Sequence, residues 1–365
     1  MRLRFIFDMD SDWRRRTGAS PILHRGGLYL AVTWPPHAGL PECPSGGQFA
    51  VAAWDKPLKL PQCLTLRVVS TSRMRPDAMI DKPLPNLATW VDYFTHVDVP
   101  ILRRTARDLI ALREKEDTVS GRVIAHTVLQ DPLMTLKVLA LIEQRRRASQ
   151  NHDITTIERA IMMIGVTPFF RHFETLPTIE DQLAKHPHAL LGVMKVIVRA
   201  RRAAKWAREW ALLRHDTDVD EITVAALLHD CAEILCWVFA PDLSLELRML
   251  LKTHPGLRSA MAQEEVFGVT AHDLQLGLAR AWHLPELFTV LIDGKQRNNP
   301  RVRNVICATS LARHSANGWD DPALPDDYNA ISELLRLSPD TVKDRIGVPV
   351  PDAPTEIPST TAQPQ

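Results

Sequence analysis

Residues 227–235 read LLHDCAEIL, a His229–Asp230 doublet set in an apolar helical pattern. The run around it, DVDEITVAALLHDCAEILCWVF, opens with Asp218 and carries Glu221 three residues later, a pairing typical of a helix start. An imidazole beside a carboxylate can help hold a divalent cation, or it can be a buried, hydrogen-bonded pair with no chemistry. The segments on either side decide between these readings, and they also fix the fold class.

Outward from the doublet, helical patterns are nearly continuous over residues 96–345. In DPLMTLKVLALIEQ, Asp131 stands as an N-cap and Pro132 at the first helical position, with Leu133, Leu136, Leu139 and Ile142 on one face. TTIERAIMMIG pairs Thr155 with Glu158 as a capping box, and Gly165 ends it. Thr167–Pro168 then predicts the next N-cap and first-turn proline. The long LLGVMKVIVRARRAAKWAREWALL follows, and further helical stretches lie beyond the doublet. No alternating β-branched run interrupts the block, so the expected class is all-α. Residues 1–95 are rich in Pro, Gly and Arg and predict an irregular or weakly β extension, with GGLYLAVTW, QFAVAAW and LTLRVVSTS as short strands. Met74 and Met79 are candidate alternative starts. The Pro/Thr/Gln-rich residues 346–365 predict a disordered tail.

Apolar residues make up 45% of the 365-residue chain, charged residues 24%, and the net charge is +1. That balance suits a globular core and gives the whole molecule no reason to seek nucleic acid or an acidic membrane. Five cysteines, an odd number without a CxxC pair, favour a reducing, cytoplasmic setting over a disulfide scaffold or a cysteine zinc site. No uninterrupted apolar run approaches the ~20 residues that span a bilayer.

Four stretches taken in order, HTVLQDPLMTLKVLALIEQ, ITTIERAIMMIGVTPFF, AALLHDCAEIL and VFGVTAHDLQLGLARAWHLPE, resemble the HDOD family, signalling relatives of the HD phosphohydrolases, over about residues 96–315. The resemblance implies two packed helical subdomains, here 96–188 and an HD-like 189–345. It also implies a non-catalytic bacterial regulatory role in which a partner protein or small signal is bound, without a cofactor. The sequence departs from the common family pattern where Glu143–Gln144 and Asp293–Gly294 stand.

An active HD phosphohydrolase adds a His on the preceding helix and an Asp on a later one, because a catalytic cation needs several N/O ligands and an open position for water. By that resemblance the His position falls near Arg199, in a helix without His between Leu190 and Leu213, and the Asp position falls near Thr309. A guanidinium stays protonated and cannot ligate a cation. The favoured expectation is therefore a doublet without metal. In that reading Asp230 accepts from a backbone N–H or from an Arg on the facing helix, with Arg199 predicted within salt-bridge distance, and His229 donates to a nearby backbone carbonyl or to Glu233. The alternative is a rebuilt metal site from His229, Asp230, Glu233 and His272, serving as a divergent phosphohydrolase or cyclic-dinucleotide phosphodiesterase.

The basic helix raises a third possibility, an interaction protein docking an acidic partner through Arg199, Arg201, Arg202 and Lys205. Its Trp206 and Trp210, one turn apart, read more simply as core. FIFDMDSD at 5–12 resembles an aspartyl-nucleophile motif through Asp8 and Asp10, but the β/α units such a fold needs do not follow.

Overall fold

The computed structural model describes residues 79–149 and 156–349, apart from the side chains of 144–149, and the backbone of 22–25 and 28–31. The chain divides into two units, Met1–Arg75 and Pro76–Gln365. In the first, Ile22–Arg25 (β1) and Leu28–Ala31 (β2) pair antiparallel with Ile22 opposite Ala31. Asp8, Asp10, Cys43, Cys63 and the two other expected strands lie outside the described residues, as does the tail from residue 350 on; Ile346, placed in the tail by the sequence, instead ends the last helix.

The second unit is all-α. Its first helix, Leu87–His96 (α1), begins before residue 96, where the sequence places the start of the helical block. Pro83 and Pro85 make this stretch look like the extension, yet Asn86 caps the helix and Trp90, Tyr93 and Phe94 form a buried stripe. Long-range contacts tie the segment down. Ile80 N–H donates to the carbonyl of Phe239 at 2.7 Å, and Trp90 Nε1 donates to that of Phe267 at 3.1 Å.

Arg103–Arg113 (α2), Gly121–Val128 (α3), Pro132–Ser149 (α4), Ile157–Ile164 (α5), Val166–His172 (α6) and the single turn Ile179–Gln182 (α7) follow. Asp131 caps α4 as expected: Oδ1 accepts from Leu133 N at 3.0 Å and Met134 N at 3.2 Å. Its Oδ2 also accepts from Leu102 N at 2.7 Å, so one carboxylate joins the starts of α2 and α4. Burial raises the pKa of this carboxyl, against the lowering effect of those backbone donors. Two caps differ from expectation. Thr156 caps α5, accepting from Arg159 N, where the sequence pointed to Thr155. Gly165, at φ +85°, both ends α5 and begins α6, so Pro168 sits inside the first turn and Thr167 is no cap.

The remaining helices gather around Pro187–Leu213 (α8), 27 residues long. Val219–Leu228 (α9), Cys231–Phe239 (α10), Pro241–Thr253 (α11), Ser259–Phe267 (α12), Ala271–Ala281 (α13), Glu286–Asp293 (α14), Pro300–His314 (α15), Leu324–Leu335 (α16) and Pro339–Ile346 (α17) complete the unit. α8 packs against α9, α10, α11 and α15. Small residues on its buried face, among them Ala200, Ala203, Ala204, Ala207 and Ala211, let those neighbours approach closely. Trp206 and Trp210 stack 6.4 Å apart within the core. α4 touches both α8 and α9, and buried apolar side chains from the two halves form one continuous cluster. Val219–Phe239 is long and apolar enough to cross a membrane by composition, but most of it is buried in this core.

Candidate functional site

The LLHDCAEIL stretch is not one helix. α9 ends at Leu228, His229 keeps helical geometry, and Asp230 leaves it at φ −102° and ψ 18° before α10 begins at Cys231. Asp230 occupies the N-cap position of α10, where a carboxylate ordinarily accepts from the first-turn N–H groups. It makes no such bond. Gln275, from α13, takes over part of that role, its Oε1 accepting from Ala232 N at 2.8 Å. The Asp230 carboxylate is thereby left to face sideways, toward α8 and α15.

What it meets there is positive. Arg199 of α8 donates to Asp230 Oδ2 through Nε at 2.9 Å and Nη2 at 2.7 Å, and to Glu233 Oε2 through Nη2 at 2.6 Å. Arg313 of α15 reaches Asp230 Oδ1 at 3.4 Å, and His229 Nδ1 lies 2.9 Å from the same oxygen. The expected Arg199–Asp230 pair is present. His229 differs from expectation, since its partner is the adjacent Asp230, and Glu233 is held by Arg199. Two carboxylates thus meet two guanidiniums in a place where Asp230 is 8% exposed.

Electrostatics follow from that geometry. Burial pushes the Asp230 pKa upward, but Arg199 above all, then the His229 hydrogen bond and Arg313, hold it well below the usual carboxylate range. Burial likewise disfavours the Arg199 cation, and the charges of Asp230 and Glu233 outweigh it and raise its pKa. Arg199 and Asp230 are thus both ionised at neutral pH.

The other sequence candidates scatter. His272 pairs with Asp293 at 3.5 Å and is half exposed. Among the described residues no group of three or more His, Cys, Asp and Glu side chains is arranged to hold a metal ion. Thr309 turns its hydroxyl back onto its own helix, donating to Val305 O at 2.9 Å. Of the four basic residues, only Arg199 points inward. Arg201 donates to Gln130, Arg202 lies over the Trp206 ring and donates to Ser315 O, and Lys205 pairs with Glu209. They form no common patch with Arg199.

The residue that sequence reading missed is Arg313, one turn beyond Thr309 on the same helix. Also missed was a cavity of about 360 Å³ opening beside the ion cluster. It is bordered by one face of α8 (Gly192, Lys195, Val196, Arg199), by Trp237 of α10 and by Arg248 of α11. The i, i+3, i+4, i+7 spacing of the α8 residues was legible as a face, but not what it faced.

A family model described as the HDOD domain matches residues 99–297. No curated protein gives a significant match. Among solved structures, the MmoQ response regulator from Methylococcus capsulatus str. Bath is similar at a TM-score of 0.54 and 17% identity, over 68% of this chain and 97% of that one. A virulence factor from Campylobacter jejuni subsp. jejuni is similar at a TM-score of 0.50 and 17% identity, over 71% of this chain and 92% of that one. At these identities the likeness is one of fold.

Proposed function

The chain belongs to the HDOD domain family, and on that premise we propose that it is a non-catalytic regulatory module of a bacterial signalling pathway. In this reading it binds a small signal or a partner protein and passes on a conformational state. The observation that carries the proposal is the pair of hydrogen bonds from Arg199 to Asp230 Oδ2, extended to Glu233. A divalent cation serving as hydrolytic catalyst needs these carboxylate lone pairs for itself. Here a side chain that never loses its proton occupies them, with a second guanidinium alongside. That MmoQ is a response regulator fits a signalling role for a chain of the same fold.

The reading is tested by incubating the full chain with Mn²⁺, Mg²⁺ or Co²⁺ and phosphodiester, nucleotide and cyclic-dinucleotide substrates. The expected result is no turnover above the metal-only control. Turnover that disappears in His229→Ala while that variant remains folded overturns the reading in favour of a divergent phosphohydrolase.

A further inference from the structure

The cavity beside the ion cluster is unbalanced in charge. Four cations line it, Lys195, Arg199, Arg248 and Arg313, against a single acid among its described lining residues, Glu233. Glu233 is already engaged by Arg199. Lys195 and Arg248 are exposed and have no carboxylate partner among the described residues, and Arg313 makes only a long contact to Asp230. Positive charge therefore remains for something that enters.

Two further features point to a ligand. Ser244, on the α11 face that lines the cavity, is 3% exposed, and its Oγ has no hydrogen-bond partner. A buried hydroxyl left unpaired costs free energy that an incoming acceptor relieves. One wall is the Trp237 ring, fixed in place because it packs on the bare backbone of Gly192, where a Cβ would come within 2.6 Å of it. The Arg248 guanidinium carbon sits 5.4 Å from the centre of that ring. The volume lies within the range of small-molecule pockets.

We propose that this cavity binds a small organic phosphate, its phosphate against Lys195, Arg248 and Arg313 and its flat apolar body on the Trp237 wall, with Ser244 donating to it. Several cations from different helices suit a group with nearly two negative charges over three acceptor oxygens better than they suit a carboxylate. The proposal rests on the non-catalytic reading above only in that the ligand is held and not consumed.

The test is calorimetric titration of the full chain with adenosine monophosphate, thymidine monophosphate and phenyl phosphate, each beside its dephosphorylated counterpart, and with inorganic phosphate. At least one of the three esters is expected to bind saturably, and more tightly than its counterpart or inorganic phosphate. Lys195→Glu and Arg248→Glu, both on the surface, each weaken that binding by about tenfold or more. Ser244→Ala weakens it several-fold while leaving the free protein at least as stable as before. Absence of saturable binding by all three esters at millimolar concentration overturns the proposal, as does binding indifferent to the charge reversals or equally tight for the uncharged counterparts. Product analysis of the titrated mixtures separates the two claims: binding with hydrolysis overturns the non-catalytic reading alone, and no binding without turnover overturns the ligand alone.

Discussion

The guanidinium of Arg199 donates to the carboxylate of Asp230 at 2.7 Å, from a helix 31 residues earlier in the chain, and Asp230 forgoes its natural role as a helix cap to accept it. Both side chains are largely buried, at 14% and 8% exposure. A buried pair of this kind is weak support for stability as a whole but is costly to break from one side. Arg199→Met takes the guanidinium from Glu233 and leaves Asp230 only His229 and the long Arg313 contact, and it is expected to destabilise the unit by about 3–5 kcal/mol in chemical unfolding. A loss below about 1 kcal/mol would place the pair among exposed ion pairs and remove its structural importance.

The same pair sets a pH signature. The folded pKa of Asp230 is depressed below its unfolded value near ~3.9, so its contribution is fully present above about pH 4 and is lost as pH falls through the folded pKa. Without Arg199 the strongest lowering charge is gone and the folded pKa rises toward the value burial favours, so protonation relieves the variant at a higher pH than the wild type. The stability gap between wild type and Arg199→Met is therefore widest at neutral pH and narrows toward about pH 3. Urea unfolding across that range measures it, and a constant gap contradicts the assignment of the shift to Arg199.

At Gly192 the α8 backbone and the Trp237 ring touch. Gly192→Ala places a methyl within 2.6–2.8 Å of three ring carbons, so the helix backbone or the Trp237 ring must shift. Overpacking of this kind costs about 1–3 kcal/mol. The expected result is a lowered melting temperature with an altered near-ultraviolet tryptophan signal. An unchanged signal would mean that Trp237 does not pack against α8.

Asp131 carries more than an ordinary cap, because it also accepts from Leu102 N. Asp131→Ala removes three backbone bonds from a fully buried carboxylate and strands their donors. The expected loss is about 2–4 kcal/mol, the sum of a lost cap and unsatisfied buried donors. Asp131→Asn, which keeps an acceptor oxygen, recovers part of it.

These sites show what a linear chain exposes and what it hides. Asp131–Pro132 is legible because a cap and its helix are neighbours in sequence. Arg199 is legible because counting back from the doublet along a familiar pattern reaches a residue that cannot bind a cation. The helix break at Asp230 carries no Gly or Pro, and its cap comes from Gln275, 43 residues from the N–H it satisfies, so no local signal announces it. Arg313 reaches Asp230 across 83 residues, on a helix that was read for an acid and not for a base. The Trp90 stripe of α1 was hidden by its prolines. The cavity arises only when the faces of α8, α10 and α11 meet, which helical periodicity alone does not specify.

Equilibrium titration of the metal-free full chain with Mn²⁺, followed by electron paramagnetic resonance of the free ion, tests the central claim most directly. With Arg199 seated on Asp230 and Glu233, the account predicts no stoichiometric binding at micromolar Mn²⁺. One tightly bound ion per chain, lost in Asp230→Asn, would contradict it.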